Sequence, residues 1–264
     1  MNALLKGRRV RILRGSVWPE LLIDALGEAV TDIRHWMNDN TRVLKSDEYS
    51  QVGLLNVDNN SCYLKYYQAK SRFQGLLFGL GHGRGVSSFD AATQLLGCGI
   101  TVPTSRACLS VPGGMLLLTE GLPDAIDLKS LWQADITDTE KSAALQQAGK
   151  ALAKLHGAGF AHGDMKWSNL LRLESGFSLV DLEGVTRAQL GSVGSYRDIA
   201  RFTLNCEDMS VEPDLFQAFL STYLSATGSS ESGLYSGVPP ILENLRRRHR
   251  KKYGERGREL LARK

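Results

Sequence analysis

Three oxygen-bearing side chains stand close together in this sequence: Asp164 and Asn169 in His162-Gly163-Asp164-Met165-Lys166-Trp167-Ser168-Asn169, and Asp181 at the end of a short apolar run. Residues 170–173 and 177–180 read as strands and Glu174-Ser175-Gly176 as the turn between them, so a hairpin is predicted that returns Asp181 beside Asp164 and Asn169. Such a trio suits phosphoryl transfer. Magnesium takes hard oxygen ligands from one or two side chains plus the phosphates, and the acceptor hydroxyl needs a carboxylate to align it and receive its proton. Asn169 and Asp181 fit the metal role, and Asp164 fits the base. Lys166, two residues further on, is placed to offset charge on the transferring group. Taken singly, an Asp or Asn of this kind more often caps or turns a chain, and only the ordered set selects the chemistry.

The order and spacing are similar to the kinase pattern H-x-D-x-x-x-x-N followed by a metal-binding Asp, here Asp181-Leu182-Glu183-Gly184. A kinase also needs a Lys on its third strand to neutralise the ATP phosphates, and Lys65 in Tyr63-Leu64-Lys65-Tyr66-Tyr67 has that position. Asp90, the only acid on a helix predicted over 89–96, is the candidate partner of Lys65. Adenine is expected at the apolar strand and hinge Leu116-Leu117-Leu118-Thr119-Glu120-Gly121-Leu122, with Glu120 at the hinge. The segment that should cover the phosphates, Lys45-Ser46-Asp47-Glu48-Tyr49-Ser50, has no glycine. Its available contacts are backbone N–H groups and the hydroxyls of Ser46 and Ser50, with Asp47 and Glu48 required to point away. The glycines of Gly79-Leu80-Gly81-His82-Gly83-Arg84-Gly85 recur every second residue and follow Lys65, so they do not form G-x-G-x-x-G and read as a flexible connector.

Elements that would position these residues follow from periodicity. Leu21, Leu22, Ala25, Leu26, Val30 and Ile33 predict one amphipathic helix over 18–37. Strands are predicted at 41–45, 51–57 and 62–67 as an antiparallel meander, then at 106–111 and 115–119. Leu145, Ala148, Leu152 and Leu155 line one face of a helix over 139–156 that leads into the catalytic segment, and another helix is predicted at 196–204. Strands first and helices later imply an α+β fold with two lobes, an N-lobe over 1–122 and a C-lobe over 123–264. Arg197-Asp198 is similar to the helix-borne acid that braces the catalytic loop in kinase folds and equally suits a surface salt bridge, while His156 is expected to pack or hydrogen-bond in the second lobe.

Composition limits the alternatives. A hydrophobic share of 42% over 264 residues is that of a globular chain. No stretch reaches the roughly 18 apolar residues of a membrane span, and residues 1–9 lack an apolar signal core, so a cytoplasmic location is expected. Cys62, Cys98, Cys108 and Cys206 show no metal-ligand spacing and read as buried thiols. The net charge of +4 is uneven: residues 246–264 carry ten Lys or Arg against two Glu, which leaves −4 for the rest. The tail, Arg246-Arg247-Arg248-His249-Arg250-Lys251-Lys252, is suited to an anionic membrane surface at roughly 1 kcal/mol per charge. Without interleaved aromatics or a preceding RNA module it is not read as a nucleic-acid site.

Beyond the catalytic segment, Cys62-Tyr63-Leu64-Lys65-Tyr66-Tyr67, Gly99-Ile100-Thr101-Val102-Pro103, Leu155-His156-Gly157-Ala158-Gly159 and Leu179-Val180-Asp181 resemble the bacterial lipopolysaccharide core kinases, the Kdo and heptose kinases, over about residues 41–205. The resemblance implies a protein-kinase-like fold, Mg-ATP as donor and a sugar hydroxyl of the lipid-anchored inner core as acceptor, with the enzyme peripheral on the inner face of the inner membrane. A short chain between Asp181 and the helix at 196–204, with no A-P-E motif, leaves little platform for a peptide substrate and agrees with it. Two other readings fit the residues: a small-molecule kinase of the aminoglycoside or choline type, and a pseudokinase that binds without catalysis.

Overall fold

The computed structural model describes residues 4–5, 8–254 and 259–261, and its chain divides into two units: residues up to Gly97 with Val102–Asp124, and Cys98–Thr101 with the chain from Ala125 onward.

In the first unit a short antiparallel pair, β1 (Leu4–Leu5) and β2 (Arg8–Arg9), precedes β3 (Arg11–Arg14), α1 (Trp18–Leu26), α2 (Ile33–Asn40), β4 (Arg42–Ser46), β5 (Ser50–Val57) and β6 (Asn60–Gln68). Then come α3 (Arg72–Gly79), α4 (Arg84–Gly97), β7 (Ser105–Val111) and β8 (Gly114–Glu120). Six of these strands form one antiparallel sheet in the order β3-β7-β8-β6-β5-β4. The predicted meander is β4-β5-β6, turned between the last two by Asp58 and Asn59 at φ 49° and 59°.

Strand alternation sends Cys62, Leu64 and Tyr66 to one sheet face, where Leu22, Leu26, Ile33 and Met37 of α1 and α2 cover them. Tyr67 faces the other way and packs with Phe78 of α3, Val86 of α4 and Met115. The single helix expected over 18–37 is in fact two: Gly27 takes φ +52° and ends α1, a 3-10 turn follows, and the Asp32 carboxylate caps α2 by accepting from the His35 N–H. The expected connector is shorter than its glycines suggest, since α3 reaches Gly79 and α4 begins at Arg84, which leaves residues 80–83 as the link. Cys62, Cys108 and Cys206 are buried, and burial pushes the Cys108 thiol up to about 12. Cys98 is exposed, contrary to the reading of all four as buried.

The second unit contains β9 (Ile126–Asp127), α5 (Leu128–Gln133), α6 (Asp138–Gly157), β10 (Phe160–Ala161), β11 (Leu170–Leu173), β12 (Gly176–Leu179), β13 (Thr186–Arg187), α7 (Val193–Asp208), α8 (Pro213–Thr227) and α9 (Glu231–Tyr253). A reciprocal capping box of Thr137 and Glu140 starts α6. Trp167, Phe202, Phe219 and Tyr223 stack through its core. The Gly99-Ile100-Thr101 turn docks on β12, where the Leu179 N–H donates to the Thr101 carbonyl at 3.0 Å.

Candidate active site

The catalytic segment is held by one face of one helix. Residues 198, 201 and 205 recur on α7 at three- and four-residue spacing, so Asp198, Arg201 and Asn205 point the same way. Asp198 is fully buried, and its carboxylate accepts from the backbone N–H groups of His162 at 2.5 Å and Gly163 at 2.9 Å. Arg201 donates through NH1 to Asp164 Oδ1 at 2.7 Å. Asn205 Oδ1 accepts from the Trp167 N–H at 2.8 Å. Charge-assisted bonds to backbone donors are the strong kind, so the loop cannot move without breaking them.

Behind Asp198 the network continues into the core. His156 Nε2 donates to Asp198 Oδ2 at 3.3 Å, while its Nδ1 accepts from the Tyr223 hydroxyl at 2.8 Å. His156 is therefore a packed, bonded core residue. His162 is buried too, and its Nε2 donates to the Val180 carbonyl at 3.0 Å, which ties the loop to the strand leading to Asp181. Burial lowers its pKa below the ordinary 6.5.

The remaining geometry brings Asp164, Asn169 and Asp181 to one place. Leu170 pairs with Leu179, and the Val180 N–H donates to the Asn169 carbonyl at 3.0 Å, so the hairpin closes as predicted. The Asn169 amide nitrogen donates to the Asp164 backbone carbonyl at 2.9 Å, which leaves its Oδ1 as the hard oxygen for a metal. Asp181 takes φ 63° and ψ 54°, a left-handed conformation that Asp tolerates better than most side chains and that recurs at functional sites. Gly163 has φ +81°, and a Cβ there would meet the Gly184 carbonyl oxygen at 2.5 Å. That close approach packs the catalytic loop against the turn after Asp181. Lys166 Nζ lies 2.9 Å from Asp164 Oδ2, so each oxygen of the Asp164 carboxylate carries one cation. Its side chain stays 37% exposed, open to a substrate.

Arg201 is the functional side chain that sequence reading missed. It lies 37 residues from Asp164, and its helix periodicity marks it only as a face position. Its Nε is enclosed without a hydrogen-bond partner in the described residues.

In the first unit Lys65 sits mid-strand on β6, opposite Val52 and Leu117, with its Nζ 5.2 Å from the Tyr67 ring centre. Asp90, expected to pair with it, instead has both carboxylate oxygens taken by Arg14, at 2.7 Å from Nε and 2.9 Å from NH2. Arg14 belongs to β3, a strand the sequence reading did not assign, and its bidentate fork outcompetes a single ammonium for that carboxylate. Glu120 has its N–H bonded to the Thr104 carbonyl and its carboxylate bonded to the Thr104 N–H. Its carbonyl accepts from the Thr119 hydroxyl at 3.4 Å.

The β4–β5 turn also departs from expectation. Asp47 accepts from the N–H groups of Tyr49 and Ser50 and from the Ser50 hydroxyl, so these expected phosphate contacts are used inside the turn. Those bonds, the Ser50 hydroxyl foremost, hold Asp47 below the ordinary carboxylate pKa. Arg34 of α2 braces the same turn at the Asp47 and Glu48 carbonyls, both at 2.8 Å. These internal bonds and the Arg34 brace hold the glycine-free turn in a defined conformation.

The basic tail is only partly free. Arg246 is buried and paired with Glu207, with Glu243 and Glu259 nearby, while Arg250 pairs with Glu243 and His249 with Asp208. Arg247, Arg248, Lys251 and Lys252 remain exposed on α9. No helix among the described residues is long and apolar enough to cross a membrane.

Comparison with known proteins places residues 34–223 within the family described as "Lipopolysaccharide kinase (Kdo/WaaP) family". The chain is also similar to a 3-deoxy-D-manno-octulosonic acid kinase of Vibrio parahaemolyticus serotype O3:K6 (strain RIMD 2210633), 26% identical over 166 residues that cover 59% of this chain and 68% of that protein.

Proposed function

The chain belongs to the lipopolysaccharide kinase (Kdo/WaaP) family, and from that premise we propose that it transfers the γ-phosphoryl group of ATP to a hydroxyl of a Kdo residue in the lipid-anchored inner core. The similarity to a 3-deoxy-D-manno-octulosonic acid kinase favours Kdo over heptose as acceptor. The observation that carries the reading is Asp164, half-exposed on a loop whose backbone is tied down by the Asp198 and Asn205 side chains and by the Val180 N–H.

In this proposal Asp164 orients the acceptor hydroxyl and takes its proton as the phosphoryl group arrives. Arg201 fixes one carboxylate oxygen, so Asp164 presents the other in a defined direction. Lys166, bound to that second oxygen before substrate arrives, moves to the transferring group and offsets its charge. Lys65 neutralises the α- and β-phosphates, and the Glu120 carbonyl accepts from the adenine amino group. Asn169 Oδ1 and the Asp181 carboxylate would hold Mg2+, which when bound neutralises the phosphate oxygens. Arg247, Arg248, Lys251 and Lys252 of α9, exposed and outside the Glu243 pair of Arg250, would add attraction to an anionic leaflet, consistent with a peripheral position on the inner membrane.

The test is turnover of purified protein with Mg-ATP and two acceptors, lipid A bearing Kdo alone and lipid A extended with heptose, read by mass spectrometry. Addition of one phosphoryl group to the Kdo-only acceptor supports the reading. Phosphorylation confined to the heptose-bearing acceptor, or of neither, contradicts it.

A further inference from the structure

Helix α3 is amphipathic in the unusual sense that its apolar arc faces outward. At about 100° per residue, Phe73, Leu76, Leu77 and Leu80 at the C-cap fall within one arc of roughly 100°, while Phe78 lies on the far side. Phe78 is buried against Tyr67, Val86 and Met115 and so anchors the helix to the sheet. Phe73, Leu76 and Leu80 are left 68%, 60% and 57% exposed. Three large apolar side chains clustered on one face are an interaction surface, whereas scattered single ones are not.

The charge around this face selects its partner. From Asn59 to Phe89 the sequence contains no Asp or Glu. Lys70 and Arg72 flank the arc and are exposed, and Arg11, also exposed, reaches the helix end by donating to the Gly79 carbonyl at 2.6 Å. An outward apolar arc rimmed by cations, without acids on its own segment, matches the interface of a bilayer with anionic headgroups: apolar tips enter the acyl boundary and the cations stay at the phosphates.

We propose that α3 is a membrane-docking element that inserts Phe73, Leu76 and Leu80 into an anionic lipid surface. The inference rests on the proposed function only in that the acceptor there is lipid-anchored. A basic cluster alone gives salt-sensitive, reversible attachment, and stable attachment takes a second, apolar signal. α3 carries both signals itself, an apolar arc and a cationic rim.

The experiment is co-sedimentation of the full chain with vesicles of phosphatidylglycerol and phosphatidylethanolamine, and with phosphatidylcholine vesicles, without nucleotide or acceptor. The expected result is binding to the anionic vesicles at least tenfold tighter than to phosphatidylcholine, and at least a tenfold loss in a Phe73→Ser/Leu76→Ser/Leu80→Ser variant. A Leu76→Trp variant should show a blue-shifted emission on adding the anionic vesicles, which reports insertion even if the triple variant folds poorly. Equal binding to both vesicle types, undiminished binding by the triple variant, or an emission of the Leu76→Trp variant unmoved by lipid overturns the proposal. So does a wild-type dimer that the triple variant dissociates, since the arc would then be a contact between copies. Because no phosphoryl transfer is measured, failure here is separate from failure of the kinase reading, which detergent-dispersed acceptor tests on its own.

Discussion

Replacing Asp198 by Asn keeps the size and shape of a fully buried side chain and changes only what its atoms can accept. Oδ2 receives the His162 N–H and the His156 Nε2–H, and Oδ1 receives the Gly163 N–H. In Asn the single oxygen keeps the crowded Oδ2 position, and the new NH2 group then confronts the Gly163 N–H, donor against donor. One charge-assisted bond is lost and a buried N–H is stranded, which costs about 1.5–3 kcal/mol. Asp198→Ala loses both backbone bonds and should cost roughly twice as much. The same change frees Gly163, the residue before Asp164, and a displacement on the order of 1 Å at a reacting carboxylate costs about 100-fold in rate. Urea denaturation followed by tryptophan emission, Trp167 lying in the affected core, measures the first quantity, and steady-state kinetics the second. The expected outcome is lost stability with kcat down about 100-fold and the KM for ATP nearly unchanged, since Asp198 touches no nucleotide-binding group. A variant with wild-type kcat would refute the claim that α7 positions Asp164, even if its stability fell.

Gly163→Ala should cost about 1–3 kcal/mol from its left-handed backbone alone, with the clash at the Gly184 carbonyl adding to it, and should abolish most turnover; thermal melts and kinetics together check this. Arg246→Ala strands the buried Glu207 and should cost about 3–5 kcal/mol in denaturation, more than any change among Arg247, Arg248, Lys251 and Lys252. His162 has a native pKa below 6.5, so beneath pH 6.5 the unfolded chain binds a proton that the native chain does not. Stability should therefore fall as pH drops from about 6.5 towards the native pKa, with a slope of at most about 1.4 kcal/mol per unit from this group, and His162→Gln should flatten that part of the profile.

The approach of Asp164, Asn169 and Asp181 was legible because it is local: Asn169 and Asp181 flank one hairpin, Asp164 lies five residues before Asn169, and a turn at Glu174-Ser175-Gly176 suffices to bring them together. The bracing acid Asp198, 36 residues from the His162 N–H that it accepts, was legible only through the similarity of Arg197-Asp198 to the helix-borne acid of kinase folds. Arg201 was not legible, since a salt bridge across 37 residues leaves no periodic mark. Asp90 was misread because β3, which carries its true partner Arg14, is only four residues long and too polar to register as a strand. The glycines at Gly75 and Gly79 hid α3, and Gly27 broke a helix whose apolar spacing ran unbroken through it. Arg246 looked like part of a surface run, and only the fold puts Glu207 opposite it.

The most direct test of the account is mass spectrometry of lipopolysaccharide from cells that carry the wild-type chain or its Asp164→Ala variant as their only source of this activity. The account predicts an inner core that lacks one phosphoryl group on Kdo in the variant cells. An unchanged core phosphate in those cells, with the variant protein present at wild-type level, would contradict it.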